Sequence, residues 1–255
     1  MITGGKGLGL SIGKITEEAA QVITPNAGGG GGALPVTLGV KQWNQLGTGI
    51  TLVGSNVSEW SDQSGNGRSF IQPVIANRPF GSGVTINSLQ AVQMTTGGVA
   101  NGLYTAAYTG ITEFTFVLLF STAAGAQLYF GSPLNGATDG QNKRIFPSTP
   151  GTQLKFRGNG TGTSLVLIPS PYPTSVITLV IKQSGTTLKY KVNNDSWQVR
   201  TGDVLNSTTE FDTGFNRSIS RQFGGVIGEV QIYDNEITNT NADLLIADLR
   251  TRAGL

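Results

Sequence analysis

The sequence predicts an all-β protein, a sandwich of antiparallel strands with a short C-terminal helix and a Gly-rich N-terminal arm. Three observations predict it. Charged residues are 13% of the chain, against roughly 25% in ordinary globular proteins, and the 255 residues include 37 glycines, a composition of short strands and many turns. Short segments with strand character follow one another between turn signals. In the stretch Gly224 to Leu255 the apolar period changes from 2 to 3.6, the change from strand to helix.

Residues 1–35 read as the arm, and residues 36–255 as one sandwich domain. The arm holds a short segment from Thr16 to Ile23, too brief to be a helix on its own, and the five glycines Gly28 to Gly32, which make a random-coil linker. Strands are then expected at Ile50–Gly54, Phe114–Phe120, Gln127–Gly131, Gln153–Arg157, Ser164–Ile168, Val176–Lys182, Leu188–Asn193 and Trp197–Thr201. The sharpest hairpin signal crosses Gln183-Ser184-Gly185-Thr186, with Lys189 and Lys191 on one solvent face. In the last strand Val226, Val230 and Ile232 should enter the core, opposite Ile227, Glu229, Gln231 and Tyr233. The helix should run from a Thr240 cap, with Asp243 at capping-box spacing, to Gly254. Its stripe of Ala242, Leu245, Ile246, Leu249 and Ala253 should cover a flank or end of the sandwich.

Composition excludes several kinds of chemistry. The chain has no Cys and no His, so disulfides, thiolate nucleophiles, Ser-His-Asp triads and His-based metal sites are all out of reach. Catalysis would need carboxylates, Lys or Tyr. The net charge is +2, with 17 Lys and Arg scattered along the chain, which gives no basic stripe for nucleic acid. No run approaches the roughly 20 apolar residues of a membrane span. The N-terminus does not resemble a secretory signal, so a virion or extracellular surface reached by another route is the expected location.

Trp60, Asp62, Ser64, Gly65, Asn66 and Gly67 form a W-x-D-x-S-G-N-G turn, followed by the Arg78-Pro79 pair. Near the C-terminus, Gly225, Ile227, Glu229, Ile232, Tyr233 and Asp234 form a G-x-I-x-E-x-x-I-Y-D strand before a helix. Together these residues resemble the concanavalin A-like lectin/glucanase superfamily in its laminin-G-like form, over roughly residues 40 to 255. The resemblance implies a jelly-roll of two facing antiparallel sheets, as found in sugar-binding modules, glycosidases and phage or bacterial surface proteins. The chain departs from the pattern at Met94-Thr95-Thr96, where relatives usually carry F-D-G.

Three groups of residues are candidates for a site. The Asp62, Ser64 and Asn66 spacing imitates half of a calcium loop, but Pro73 stands where the bidentate Glu would be. No cofactor is expected beyond a weakly held calcium ion, and the competing reading is an Asx or Ser turn that folds the backbone. Glu229, Asp234 and Glu236 are the acids that a retaining glycosidase would need about 5 Å apart. On a regular strand Glu229 and Asp234 fall on opposite faces, so the chain is expected not to be an enzyme, with a glycosidase as the minor alternative. Sugar binding needs an exposed ring with amides or carboxylates beside it. Trp197 with Asn193, Asn194, Asp195 and Tyr172 is the candidate; Trp43 and Tyr108 are further rings, and the competing reading puts all of them in the core.

The resemblance and composition lead to the expectation of a non-enzymatic structural or attachment protein. It would be a bacteriophage virion component, a head or tail fibre or a decoration protein, with Ile12, Ile15, Val22 and Ile23 of the arm docking on other virion proteins. The alternative is a carbohydrate-binding module for bacterial surface glycans. Neither nucleic acid nor a membrane is an expected partner, and a homo-oligomer is compatible with both readings.

Overall fold

In a computed structural model the chain is described over residues 33–95, 101–106, 108, 113–122, 175–201 and 224–255, and over the backbone of 144–147, 154–157 and 165–168. The expected strand Gln127–Gly131, Tyr172 and the docking residues Ile12, Ile15, Val22 and Ile23 lie outside the described residues. The strands in chain order are β1 (Val40–Asn44), β2 (Ile50–Val53), β3 (Asn56–Trp60), β4 (Phe70–Ile71), β5 (Thr85–Ile86), β6 (Leu89–Gln90), β7 (Val92–Met94) and β8 (Glu113–Thr122). After them come β9 (Arg144–Pro147), β10 (Leu154–Arg157), β11 (Leu165–Ile168), β12 (Ile177–Ser184), β13 (Thr187–Val192), β14 (Gln198–Thr201) and β15 (Gly225–Tyr233), and the chain closes with α1 (Asn239–Ala253).

Among the described residues all the strand pairings are antiparallel. The main sheet runs β1-β15-β8-β12-β13-β14, and β7 pairs with the start of β15. Smaller sheets are β2-β3-β4, β9-β10-β11 and the hairpin β5-β6. β8 shows why the main sheet sits at the centre. Its sequence EFTFVLLFST sends Phe114, Phe116, Leu118 and Phe120 into a core shared with Val57, Trp60 and Phe70 of β3 and β4. Val117 and Leu119 point the other way, into a second core with Leu245, Ile246 and Leu249 of α1. A strand that is apolar on both faces reads as a continuous hydrophobic run, and each large side chain buried this way contributes about 1.5–3 kcal/mol.

β15 departs from the simple alternation. Its register on β8 passes from Ile227↔Phe120 to Glu229↔Leu119, leaving Gly228 as the extra residue of a β-bulge. The bulge reverses the faces before it. Ile227 joins Val230 and Ile232 between the sheets, whereas Val226, expected on that side, packs with Tyr233 on the helix side. Glycine fits there because a Cβ would come within 2.8 Å of Ile86 Cδ1 and Leu119 Cδ2.

The helix covers the back face of the main sheet, together with the β5-β6 hairpin and the entering segment, rather than a flank or end of the sandwich. Its N-cap is Thr238, whose side chain accepts from the Asn241 N–H at 3.1 Å. Thr240 is therefore inside the first turn, and the expected cap falls two residues late because Asp243 is bonded to Lys191 and Trp197 instead. Gly254 takes the left-handed cap at φ 72°. Leu34 and Val36 are buried against this layer, so Leu34, assigned to the arm, packs with the domain.

Candidate functional site

The Asp62 turn is built from its own backbone. Asp62 Oδ1 accepts from the N–H groups of Trp43 (2.8 Å) and Ser64 (2.9 Å). Oδ2 accepts from Ser64 Oγ (2.8 Å) and the Arg68 N–H (3.0 Å). Those four donors fill the lone-pair directions of one carboxylate. Asn66 Nδ2 donates to the Val40 carbonyl at 3.0 Å, tying the turn to β1. This is the backbone-folding arrangement set beside the calcium reading, and among the described residues no three acidic side chains gather to hold a metal ion.

Trp197 is half-buried against the helix layer. Its Nε1 donates to Asp243 Oδ1 at 3.1 Å, and Lys182 Nζ lies 4.8 Å from the ring centroid, with Lys191 Nζ at 5.9 Å. Lys182 is buried and donates to the Ile237 carbonyl at 2.7 Å. Burial pushes its ammonium below the usual range, against the Glu236 carboxylate 3.7 Å away, which pulls it up. Lys189 and Lys191 share a face as expected, but that face meets the helix: they pair with Glu236 and Asp243, each at 2.8 Å. Asn193 Oδ1 accepts from the Thr178 N–H at 3.0 Å and serves the turn, while Asn194 and Asp195 stand in solvent beside it. The ring is thus a link between β12, β13 and α1 through cation–π and hydrogen-bond contacts, not a bare platform.

The acids of β15 and the turn after it are also committed. Glu229 is fully buried. Its Oε1 accepts from Trp43 Nε1 (2.8 Å), Gln231 Nε2 (2.6 Å) and Arg252 Nη2 (3.0 Å). Its Oε2 accepts from the Leu46 N–H (3.1 Å) and Arg252 Nη1. Arg252 also holds Asp248 through Nη2 (2.7 Å) and Nε (3.0 Å). Burial acts to lower the guanidinium pKa, but the Glu229 and Asp248 carboxylates outweigh it and hold it above the usual range. Asp234 pairs with Lys41 at 2.9 Å, away from Glu229, and Glu236 pairs with the lysines.

One surface has a different character. On the outer side of β2-β3-β4 two rows of paired residues face solvent. Thr51↔Glu59↔Ile71 continue through a bridge to Tyr104, and Val53↔Asn56 continue through bridges to Phe80 and Gln93. Directly opposed residues in antiparallel strands share a face. A register shift between Thr51 and Leu52 keeps both rows outward while Val57 and Trp60 stay in the core. Of the eight large apolar side chains exposed among the described residues, Val53, Ile71, Val74, Ile75 and Phe80 lie on this face or in the turn after β4. Phe80 is 39% exposed and Ile71 43%. Sequence reasoning missed this face because Phe80 and Tyr104 are far along the chain from β3. Only the strand pairing brings them together.

No protein-family model and no curated protein matches the chain. Solved structures do. Trypanosoma rangeli sialidase is similar over 87% of this chain and 34% of its own, with a TM-score of 0.58 at 13% identity. An arabinofuranosidase complexed with arabinofuranosyl-α-1,2-xylobiose is similar over 84% of this chain and 59% of its own, with a TM-score of 0.57 at 13% identity. The chain thus spans about one third of the sialidase and three fifths of the arabinofuranosidase. At this identity the likeness is one of fold. These neighbours are glycoside hydrolases, and they overturn the expectation that the chain is not an enzyme. That expectation rested on the spacing of acids along one strand, which tests only one way of assembling a carboxylate pair, since a fold can also bring acids together from separate strands and loops.

Proposed function

We propose that the chain is a carbohydrate-binding β-sandwich. The observation that carries the reading is the outer face of β2-β3-β4, where Phe80 and Tyr104 stand with Asn56, Gln93, Glu59 and Thr51. Sugars present apolar C–H faces that stack on rings, and hydroxyls that pair with amides and carboxylates. The carbohydrate-active neighbours support the same reading. In its finer form the sandwich is a concanavalin A-like jelly-roll, supported by the Trp60-to-Gly67 turn and the Gly225-to-Asp234 strand. Incubating the full chain with immobilised polysaccharides tests the reading: retention on at least one, competed by the soluble glycan, is the expected result, and retention on none refutes it.

The glycoside hydrolase neighbours favour a second reading, hydrolysis of the bound glycan. New reducing ends released in the same incubation would establish it, and their absence across a broad panel would remove it. The setting we propose is display on a virion or other extracellular surface, with the N-terminal arm docked on a larger assembly. Burial of Leu34 and Val36 supports this, because it fixes the root of the arm to the sandwich. Deleting residues 1–32, which spares that root, should abolish incorporation into the parent particle; unchanged incorporation would refute the docking role.

A further inference from the structure

Resting on the glycan reading, we propose that the outer face of β2-β3-β4 takes an extended neutral glycan chain and discriminates against anionic ones. The two rows of the face cross β3 at Asn56 and Glu59, three residues apart, so Phe80 and Tyr104 lie on the order of 10 Å from each other along and across the strands. One pyranose ring cannot touch both. A chain lying across the face can, with Ile71 beside Tyr104 as apolar floor and Asn56 and Gln93 beside Phe80 as hydrogen-bond partners. The two contact points are independent in sequence and joined by one rigid sheet, which favours a ligand that reaches both.

Charge sets the class. Glu59 lies within one row, between Thr51 and Ile71. Its Oε1 accepts from Ser61 Oγ at 3.2 Å. Among the described residues, nothing cationic belongs to either row. Arg78, beyond the turn after β4, directs Nε to the Gln72 carbonyl at 3.0 Å. A uronate or sialate laid across the rows would bring its carboxylate toward Glu59 with no guanidinium or ammonium in the rows to receive it, whereas a neutral sugar can donate its hydroxyls to the same carboxylate. Discrimination by a repelling group of this kind is as much a part of specificity as the attractive contacts.

Calorimetric titration of the full chain with xylo- and cello-oligosaccharides of increasing length, and with sialyllactose and oligogalacturonates, tests the proposal. Affinity for the neutral series should rise at least tenfold from the single sugar to the longer oligomers. Phe80→Ala and Tyr104→Ala should each lower it at least fivefold, with circular dichroism unchanged. Glu59→Gln should narrow the gap between neutral and anionic ligands. Trp197→Ala, on the opposite side of the main sheet, should leave binding unchanged. Binding that does not grow with length, that prefers the anionic glycans, or that is lost in Trp197→Ala and kept in Phe80→Ala would overturn this proposal and leave the broader glycan reading standing. Binding to no glycan at all would overturn both.

Discussion

Replacing Arg252 by Met should test what joins the helix to the sandwich. Arg252 bridges Glu229 on β15 and Asp248 one helical turn earlier, and both Glu229 and the guanidinium are withdrawn from solvent, with side-chain exposures of 0% and 9%. Removing one partner of a buried pair typically costs about 3–5 kcal/mol, because the other charge stays buried. Here Glu229 would keep its bonds from Trp43, Leu46 and Gln231, which places the expected loss near the lower end, at about 3 kcal/mol. For a domain of this size that corresponds to a fall in Tm of about 6–12 °C. Urea denaturation followed by tryptophan fluorescence measures it, with an unchanged m-value showing that the native state is still compact. The double variant Glu229→Gln with Arg252→Met, which removes the fully buried charge and leaves only the partly exposed Asp248 without its partner, should lose less than Arg252→Met alone. A loss below about 1 kcal/mol for Arg252→Met, the scale of an exposed ion pair, would refute the reasoning.

Three further outcomes are expected. Gly228→Ala puts a Cβ within 2.8 Å of Ile86 and Leu119 at the bulge, so it should destabilise by about 1–3 kcal/mol in the same denaturation assay. Ser88→Gly should stabilise by about 1 kcal/mol, because Asn87 and Ser88 form the two-residue turn of the β5-β6 hairpin at φ 48° and 64°, a geometry that Asn-Gly satisfies without strain. Burial, and then the Glu229 carboxylate, raise the Tyr233 phenol well above its ordinary range. A group raised in the folded state stabilises fully below its unfolded value, about 10, and loses that contribution as pH rises further. Urea midpoints should therefore decline above about pH 10, and Tyr233→Phe should flatten that decline even though it forfeits the bonds to Val36 and Gln231.

The fold was legible where periodicity is local. β8 could be read from its apolar run, β12, β13 and the hairpin turn at Gly185 from the hairpin signal, and α1 from its stripe and its Gly254 cap. The face reversal in β15 was not, because a bulge depends on how Gly228 meets Ile86 and Leu119, partners distant in the chain. The same limit hid the role of Trp197: its neighbours suggested a sugar platform, but Lys182 and Asp243, which hold the ring, lie 15 and 46 residues away. The Asp62 turn was legible as chemistry because its partners are mostly two to six residues along. The outer face of β2-β3-β4 carries no local signature, since its members come from four separate stretches of chain.

The burial of Leu34 and Val36 beside Leu249 and Ala253 gives the domain a polarity. Both ends of the described chain sit in the helix layer, on the far side of the main sheet from Phe80 and Tyr104. A tether, tag or fused protein at the C-terminus is therefore held behind the sandwich, with the aromatic face turned away from whatever carries it. Surface immobilisation through the C-terminus should present that face to solution unobstructed, and many copies anchored side by side would all face outward.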